Sequence, residues 1–147
     1  MSNNEPAPES VFRYEFVVPQ SVIDGNGHVN NVVFVQWMQD VATRHFDSTG
    51  CADVMTSVGA IWVVRSHTVE YSAPAFVGDR IQAITWVASF GRVRTLRRYE
   101  FVRVSDGRVL VRGETDWVFV SAGSGRPCAI PEVIKRAFIP SAGTPGA

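Results

Sequence analysis

The sequence predicts an α+β domain, an antiparallel sheet of about five strands wrapped around one long central helix. Two observations carry this prediction. One stretch, from about residue 30 to 47, repeats its apolar side chains with the 3.6-residue period of a helix, and it is too apolar to stand uncovered. Around it lie five segments rich in β-branched and aromatic residues, set apart by Gly, Pro, Ser and Asp, which supply the sheet to cover it. The chain of 147 residues suits a single domain with a real core.

Residues 1–10 are polar and acidic, hold two prolines and lack periodicity, so a disordered N-terminal tail is expected. Phe12, Tyr14, Phe16 and Val18 then alternate with Arg13, Glu15 and Val17, the period of a strand with one buried face. Pro19 stops it. A glycine-rich turn, Asp24-Gly25-Asn26-Gly27-His28, leads to Asn30, whose side-chain oxygen suits the N-cap of a helix. From there Phe34, Trp37, Met38, Val41 and His45 fall on one helical face. A helix over 31–47 would be on the order of 25 Å long, and Gly50 is placed to end it.

Four strands are expected next, at 60–71, 79–90, 93–105 and 109–121, arranged as a meander. Ser72-Ala73-Pro74-Ala75 with Val77-Gly78-Asp79 separates the first pair, Gly91 the second, and Ser105-Asp106-Gly107 reads as a tight hairpin turn. A short helix is expected from Pro131 to Ala137, since proline is at home in a first turn. The domain is thus assigned to 11–138, with a second disordered tail at 139–147.

Composition narrows the function. Fourteen basic residues balance fourteen acidic ones, so there is no basic excess for nucleic acid. No apolar run approaches the roughly 20 residues of a membrane span. The start of the chain lacks the basic and apolar regions of a signal peptide, so a cytoplasmic protein is expected. Cys51 and Cys128 stand alone, and no disulfide is expected. No His, Cys, Asp or Glu cluster has metal-ligand spacing, so no metal is expected.

The chemistry concentrates at Asp24-Gly25-Asn26-Gly27-His28-Val29-Asn30-Asn31. An Asp in such a turn commonly bonds nearby backbone amides and does no more. Here it precedes a helix start by seven residues, and the first-turn amides of a helix are unpaired and partly positive. A carboxylate facing such donors can attack a carbonyl, or activate water against it, while the amides stabilise the oxyanion; each donor is often worth ~3 kcal/mol. A thioester suits this kit, because thiolate leaves with little acid assistance. His28 can hydrogen-bond substrate or orient Asp24, or simply pack in the turn or across an interface. Asp40 is the rival carboxylate, but an Asp40–Arg44 pair on a solvated helix flank accounts for it. His45 and His67 read as packing or surface residues, and Glu70 as facing solvent or an arginine. The run Arg92, Arg94, Arg97 and Arg98 suits phosphate.

Asp24-x-x-Gly27-His28-Val29-Asn30-Asn31 with Phe34 and Trp37 resembles the signature of the 4-hydroxybenzoyl-CoA thioesterase-like branch of the hotdog-fold acyl-CoA thioesterases. Val69-Glu70-Tyr71-Ser72-Ala73-Pro74-Ala75, Gly78-Asp79, Gly125-Arg126-Pro127 and Ile130-Pro131 extend the resemblance over residues 11–138. The resemblance implies an acyl-CoA thioesterase with Asp24 as nucleophile or general base. The Asn31 backbone amide would polarise the carbonyl, with Gly27 and His28 completing the catalytic turn. Many members carry a second acidic residue where this chain has Val22, which implies a tuned site. The resemblance also implies Arg92, Arg94 and, less directly, Arg65 as coenzyme A ligands, and Phe34, Trp37, Trp62 and Val63 as walls of an acyl tunnel. No cofactor is implied, coenzyme A being part of the substrate. A homodimer through sheet edges, or a homotetramer, is implied. Alternatives are a hotdog enzyme acting on acyl carrier protein thioesters, an enoyl-thioester hydratase, and a non-catalytic acyl-CoA sensor. Hydratases of this fold pair Asp with His in a different spacing, and sensors carry a DNA-binding segment for which no spare length is expected here.

Overall fold

The helix expected over 31–47 is α1, Asn31–Ser48. Asn30 caps it as expected: its side-chain oxygen accepts from the Val32 amide at 3.0 Å. Its far end stops at Thr49, after which Gly50 takes φ 77°, a left-handed geometry that suits glycine. The computed structural model describes residues 11–138. The tails expected at 1–10 and 139–147 lie outside the described residues.

The strands are β1 (Phe12–Val17), β2 (Ala60–Tyr71), β3 (Arg80–Phe90), β4 (Arg94–Arg103) and β5 (Arg108–Ser121), all within one antiparallel sheet. A 3-10 turn at Gln20–Val22 follows Pro19, and α3 spans Glu132–Phe138. A seven-residue helix, α2 (Ala52–Val58), was not anticipated; it is too short to display a period, and Gly59 closes it at φ 65°.

The sheet order is β1-β3-β4-β5-β2, which corrects the expected meander. Only β3, β4 and β5 follow one another in space. The β2 strand pairs with β5 at the far edge, and residues 72–79 then carry the chain across the end of the sheet to β3. The Ser72 amide bonds the Leu110 carbonyl and the Val29 amide the Ala75 carbonyl, and at the end of β1 the Val18 amide bonds the Asp79 carbonyl while the Gly78 amide bonds the Val18 carbonyl. The Ser-Ala-Pro-Ala break is therefore a crossover, and it ties down the backbone just before α1.

The apolar stripe of α1 packs onto the inner face of the sheet. Phe34, Met38, Val41 and Ala42 join Ile81, Ala83, Tyr99, Phe101, Leu110 and Val111 in one buried cluster. Burying each such large side chain fully is worth about 1.5–3 kcal/mol. At Gly113 a β-carbon would stand 2.8 Å from the sulfur of fully buried Met38, so helix and sheet pack closely there. A second cluster gathers Cys51, Phe119, Ile130, Ile134 and Phe138 beneath α2 and α3.

Candidate active site

The turn holding Asp24 folds back on itself. Ile23 and Val29 form an isolated antiparallel bridge, the Asp24 amide bonds the His28 carbonyl at 3.0 Å, and the Asn30 amide bonds Val22 at 3.0 Å. Gly27 adopts φ 86° inside this loop, a region costly for residues with a β-carbon. Asp24 does act as a turn former: one carboxylate oxygen, Oδ1, accepts from the Asn26 amide at 2.9 Å. That bond orients the carboxylate, and among the described residues Oδ2 has no partner. Turn formation and catalysis are thus compatible, one oxygen for each.

The helix start is equally defined. The Val32 amide goes to the Asn30 side chain and the Val33 amide to the Asn30 carbonyl at 2.9 Å. Among the described residues nothing accepts from the Asn31 amide, so it is the free donor of this first turn. The Tyr71 hydroxyl donates to the Asn31 carbonyl at 2.7 Å, tying the end of β2 to the same turn. His28 is half-buried with its ring edge-on to Phe76, centroids 6.2 Å apart. No hydrogen bond joins that ring to Asp24 among the described residues. Val22 packs against the core at the floor of the turn.

Asp40 is exposed on α1 and accepts from Gln36 Nε2 at 2.9 Å. The expected Asp40–Arg44 pair is not formed, because the Arg44 guanidinium lies over the Tyr14 ring, 3.9 Å from its centroid. The solvated-flank reading stands with a different partner.

The tunnel candidates separate. Phe34 is wholly buried in the first cluster, and Trp37 packs among Phe16, Phe34 and Phe101. Trp62 lines a cavity of about 220 Å³ where the two apolar clusters meet, with Ala42, Phe46, Val87, Phe90 and Phe138. Val63, one residue on, is exposed on the opposite face of β2. The arginines separate too. Arg94 forks onto Asp116 through Nε and Nη2, and Arg65 reaches the same carboxylate at 3.6 Å. Arg92 sits exposed in the β3–β4 turn.

Sequence reading placed Arg97 in an arginine run suited to phosphate and missed that it is buried. It shares its parity along β4 with Thr95, Tyr99 and Phe101, which all point inward, and it is 5% exposed on the wall of the cavity. Its Nη1 bonds His45 Nδ1 at 2.9 Å and Thr85 Oγ1 at 3.1 Å. A guanidinium only donates, so His45 accepts at Nδ1 and carries its proton on Nε2. Burial, with the charge of Arg97 beside it, pushes the His45 pKa down to about 3. Burial also lowers Arg97 to about 10, which leaves it charged at neutral pH. His67, bonded to Thr115 at 2.8 Å, is lowered by burial as well.

The family model for the thioesterase-like superfamily matches residues 17–138. An acyl-[acyl-carrier-protein] hydrolase of chloroplasts from Cuphea viscosissima is 23% identical over 88% of this chain and 33% of its own length. The chain thus spans about a third of the length of the curated relatives it matches. Among solved structures, a 1,4-dihydroxy-2-naphthoyl-CoA thioesterase from Synechocystis superposes with a TM-score of 0.79 at 20% identity, covering 87% of this chain and 95% of that one. A Staphylococcus aureus protein solved in complex with CoA gives a TM-score of 0.80 at 18% identity, covering 92% and 85%. Among the described residues no helix is long and apolar enough to cross a membrane. With one sheet wrapped on α1 and the family match extending over nearly all the described residues, the chain belongs to the thioesterase-like superfamily and has the hotdog fold.

Proposed function

We propose that the protein hydrolyses an acyl-CoA thioester to the free acid and CoA, with Asp24 as the catalytic carboxylate and the Asn31 amide as the oxyanion donor. The observation that carries this reading is the pairing of a carboxylate, held by one oxygen, with a helix start whose Asn31 amide has no acceptor among the described residues. As a general base, Asp24 takes a proton from water, whose oxygen adds to the thioester carbon. As a nucleophile, it adds directly and forms an anhydride that water then opens. In both routes negative charge develops on the carbonyl oxygen against the Asn31 amide, and CoA leaves as thiolate. Gly27 shapes the turn, and on this reading His28 meets substrate beside it.

Family membership and the CoA bound to a structural neighbour support coenzyme A as the carrier. The curated relatives are named for acyl carrier protein substrates, which favours a second reading, hydrolysis of acyl carrier protein thioesters. For the coenzyme A phosphates all three arginines are exposed, and Arg92 is the choice with no ion pair among the described residues; Arg94 and Arg65 would have to release or share Asp116. Trp62 belongs to the acyl site, whereas Phe34 and Trp37 lie in the first cluster outside the cavity it lines, and Val63 is on the outward face of the same strand.

A homodimer through β2 completes the proposal. This strand is a long sheet edge with unpaired backbone groups, and such edges seek a partner. Exposed Ile61, Val63 and Tyr71 lie on it, and exposed Val32 stands at the helix start that Tyr71 holds. The test is thiol release from short, long and aromatic acyl-CoAs and from matching acyl carrier protein thioesters, with binding measured alongside. Steady release of thiol and free acid supports hydrolysis, and the better carrier identifies itself by kcat/KM. Tight acyl-CoA binding without turnover would instead support a sensor.

A further inference from the structure

Arg97 is a buried cation whose guanidinium carbon lies 5.5 Å from the Phe138 ring centroid and which has no counter-charge among the described residues. It is 5% exposed, and among the described residues no carboxylate pairs with it. Its two bonds, to neutral His45 and to Thr85, both leave from Nη1. A guanidinium carries five N–H groups, so the edge formed by Nε and Nη2 has no acceptor among the described residues. That edge presents two parallel donors, the fork that receives a carboxylate in bidentate fashion. Leaving a charge buried and unpaired is expensive, yet here it stands on the wall of a cavity of about 220 Å³ that is otherwise lined mainly by Trp62, Phe46, Phe90, Trp117 and Phe138. The arrangement is an apolar chamber with one fixed positive charge.

The cavity lies beside Ala42, roughly 17 Å along α1 from Asn31 at ~1.5 Å per residue. In the edge-paired dimer proposed above, the start of one β2 lies against the end of the other. Trp62 is near the start, and Tyr71 at the end holds the helix start. Trp62 on each cavity wall would then lie near the helix start of the partner copy.

We propose that this cavity receives the far end of the acyl group and selects acyl thioesters that end in a carboxylate, with Arg97 as the specificity-determining residue. This rests on the thioesterase reading given under Proposed function. The apolar walls accept the body of the acyl group, and the free edge of Arg97 takes its terminal carboxylate. An uncharged acyl end would leave the guanidinium unpaired in the occupied, water-depleted cavity, which is the basis of the discrimination.

The experiment uses matched substrates: adipoyl-CoA with hexanoyl-CoA, and para-carboxybenzoyl-CoA with para-methylbenzoyl-CoA. Wild type should favour the carboxylate-ended member of at least one pair by about tenfold or more in kcat/KM. Arg97→Met should lose about a hundredfold on that substrate and lose nothing on the uncharged partner, whose end no longer meets an unpaired guanidinium. Arg97→Lys keeps the charge without the fork and should fall between, guarding against a variant that fails to fold. A second arm needs no turnover: free adipate or terephthalate should raise the Tm of wild type and not of Arg97→Met, and para-toluamide should raise neither. If wild type turns over none of the four thioesters but shows the acid-specific Tm shift, the hydrolase reading fails and the carboxylate site stands. If wild type prefers the uncharged members, or Arg97→Met lowers both members of a pair equally, or no acid shifts the Tm, the proposal is overturned.

Discussion

The Tyr71 hydroxyl donates to the Asn31 carbonyl at 2.7 Å, across 40 residues of sequence. The bond joins the end of edge strand β2 to the first turn of α1, at the residue whose amide has no acceptor among the described residues. On the proposal that this amide is the oxyanion donor, its rigid placement matters, because such a donor works only when it is already in place as charge develops.

Tyr71→Phe therefore removes one hydrogen bond and loosens the helix start while leaving the Phe34–Tyr71 ring contact, 6.0 Å between centroids, in place. A stability loss of about 1 kcal/mol is expected. In the kinetics, kcat should fall several-fold with KM nearly unchanged, as for an interaction that acts mainly in the transition state. Equal kcat in variant and wild type would remove Tyr71 from the account as a positioning residue.

Gly113→Ala tests the packing of the helix on the sheet. The added β-carbon would meet the Met38 sulfur at 2.8 Å, and Met38 has no exposed surface into which to retreat. Urea unfolding should show a loss of about 1–3 kcal/mol. Met38→Ala alone makes a cavity and should cost about 2–5 kcal/mol. In the double variant the new methyl has room, so the combined loss should be smaller than the sum. Strict additivity would mean that the two positions do not meet.

His45 gives the fold a pH dependence of known sign. Burial and the neighbouring Arg97 depress its folded pKa from 6.5 to about 3. The unfolded chain therefore binds a proton at His45 below about 6.5 that the folded chain refuses, and stability falls as pH drops through that range. The stability contributed by neutral His45 is whole above the unfolded pKa. It declines toward the folded one, by at most about 1.4 kcal/mol per pH unit. His67 is lowered by burial and adds to the same slope. Asn at position 45 keeps an acceptor for Arg97 but cannot titrate. Denaturant unfolding at pH 7 and pH 5 should show a smaller loss for His45→Asn than for wild type. Equal losses would show that His45 does not titrate differently in the two states.

Much of this was legible in the sequence, and the residues say why. The helical period from Phe34 to His45, the Asn30 cap and Gly50 fixed α1 to within a residue, because each rests on local geometry. The strands were equally local. What escaped was non-local. Nothing in the breaker Ser72-Ala73-Pro74-Ala75 distinguishes a hairpin from a crossover, and the choice depends on β2 finding β5 as its partner. The Asp24 turn was readable as a motif, whereas the Tyr71–Asn31 bond required the fold. Arg97 was passed over among neighbouring arginines, although its parity with Thr95, Tyr99 and Phe101 on β4 marked it as the inward one. Arg44 chose the Tyr14 ring over Asp40 because β1 lies across from α1, which helical spacing alone does not report.

The most direct test of the account is Asp24→Asn. The amide oxygen of Asn can still accept from the Asn26 amide, as Asp24 Oδ1 does at 2.9 Å, so the turn should persist while the carboxylate charge is lost. With the best acyl thioester, kcat should fall by about a thousandfold, and the Kd for that thioester should stay within about threefold of wild type. Hydrolysis by Asp24→Asn at the wild-type rate would contradict the assignment of Asp24 as the catalytic carboxylate.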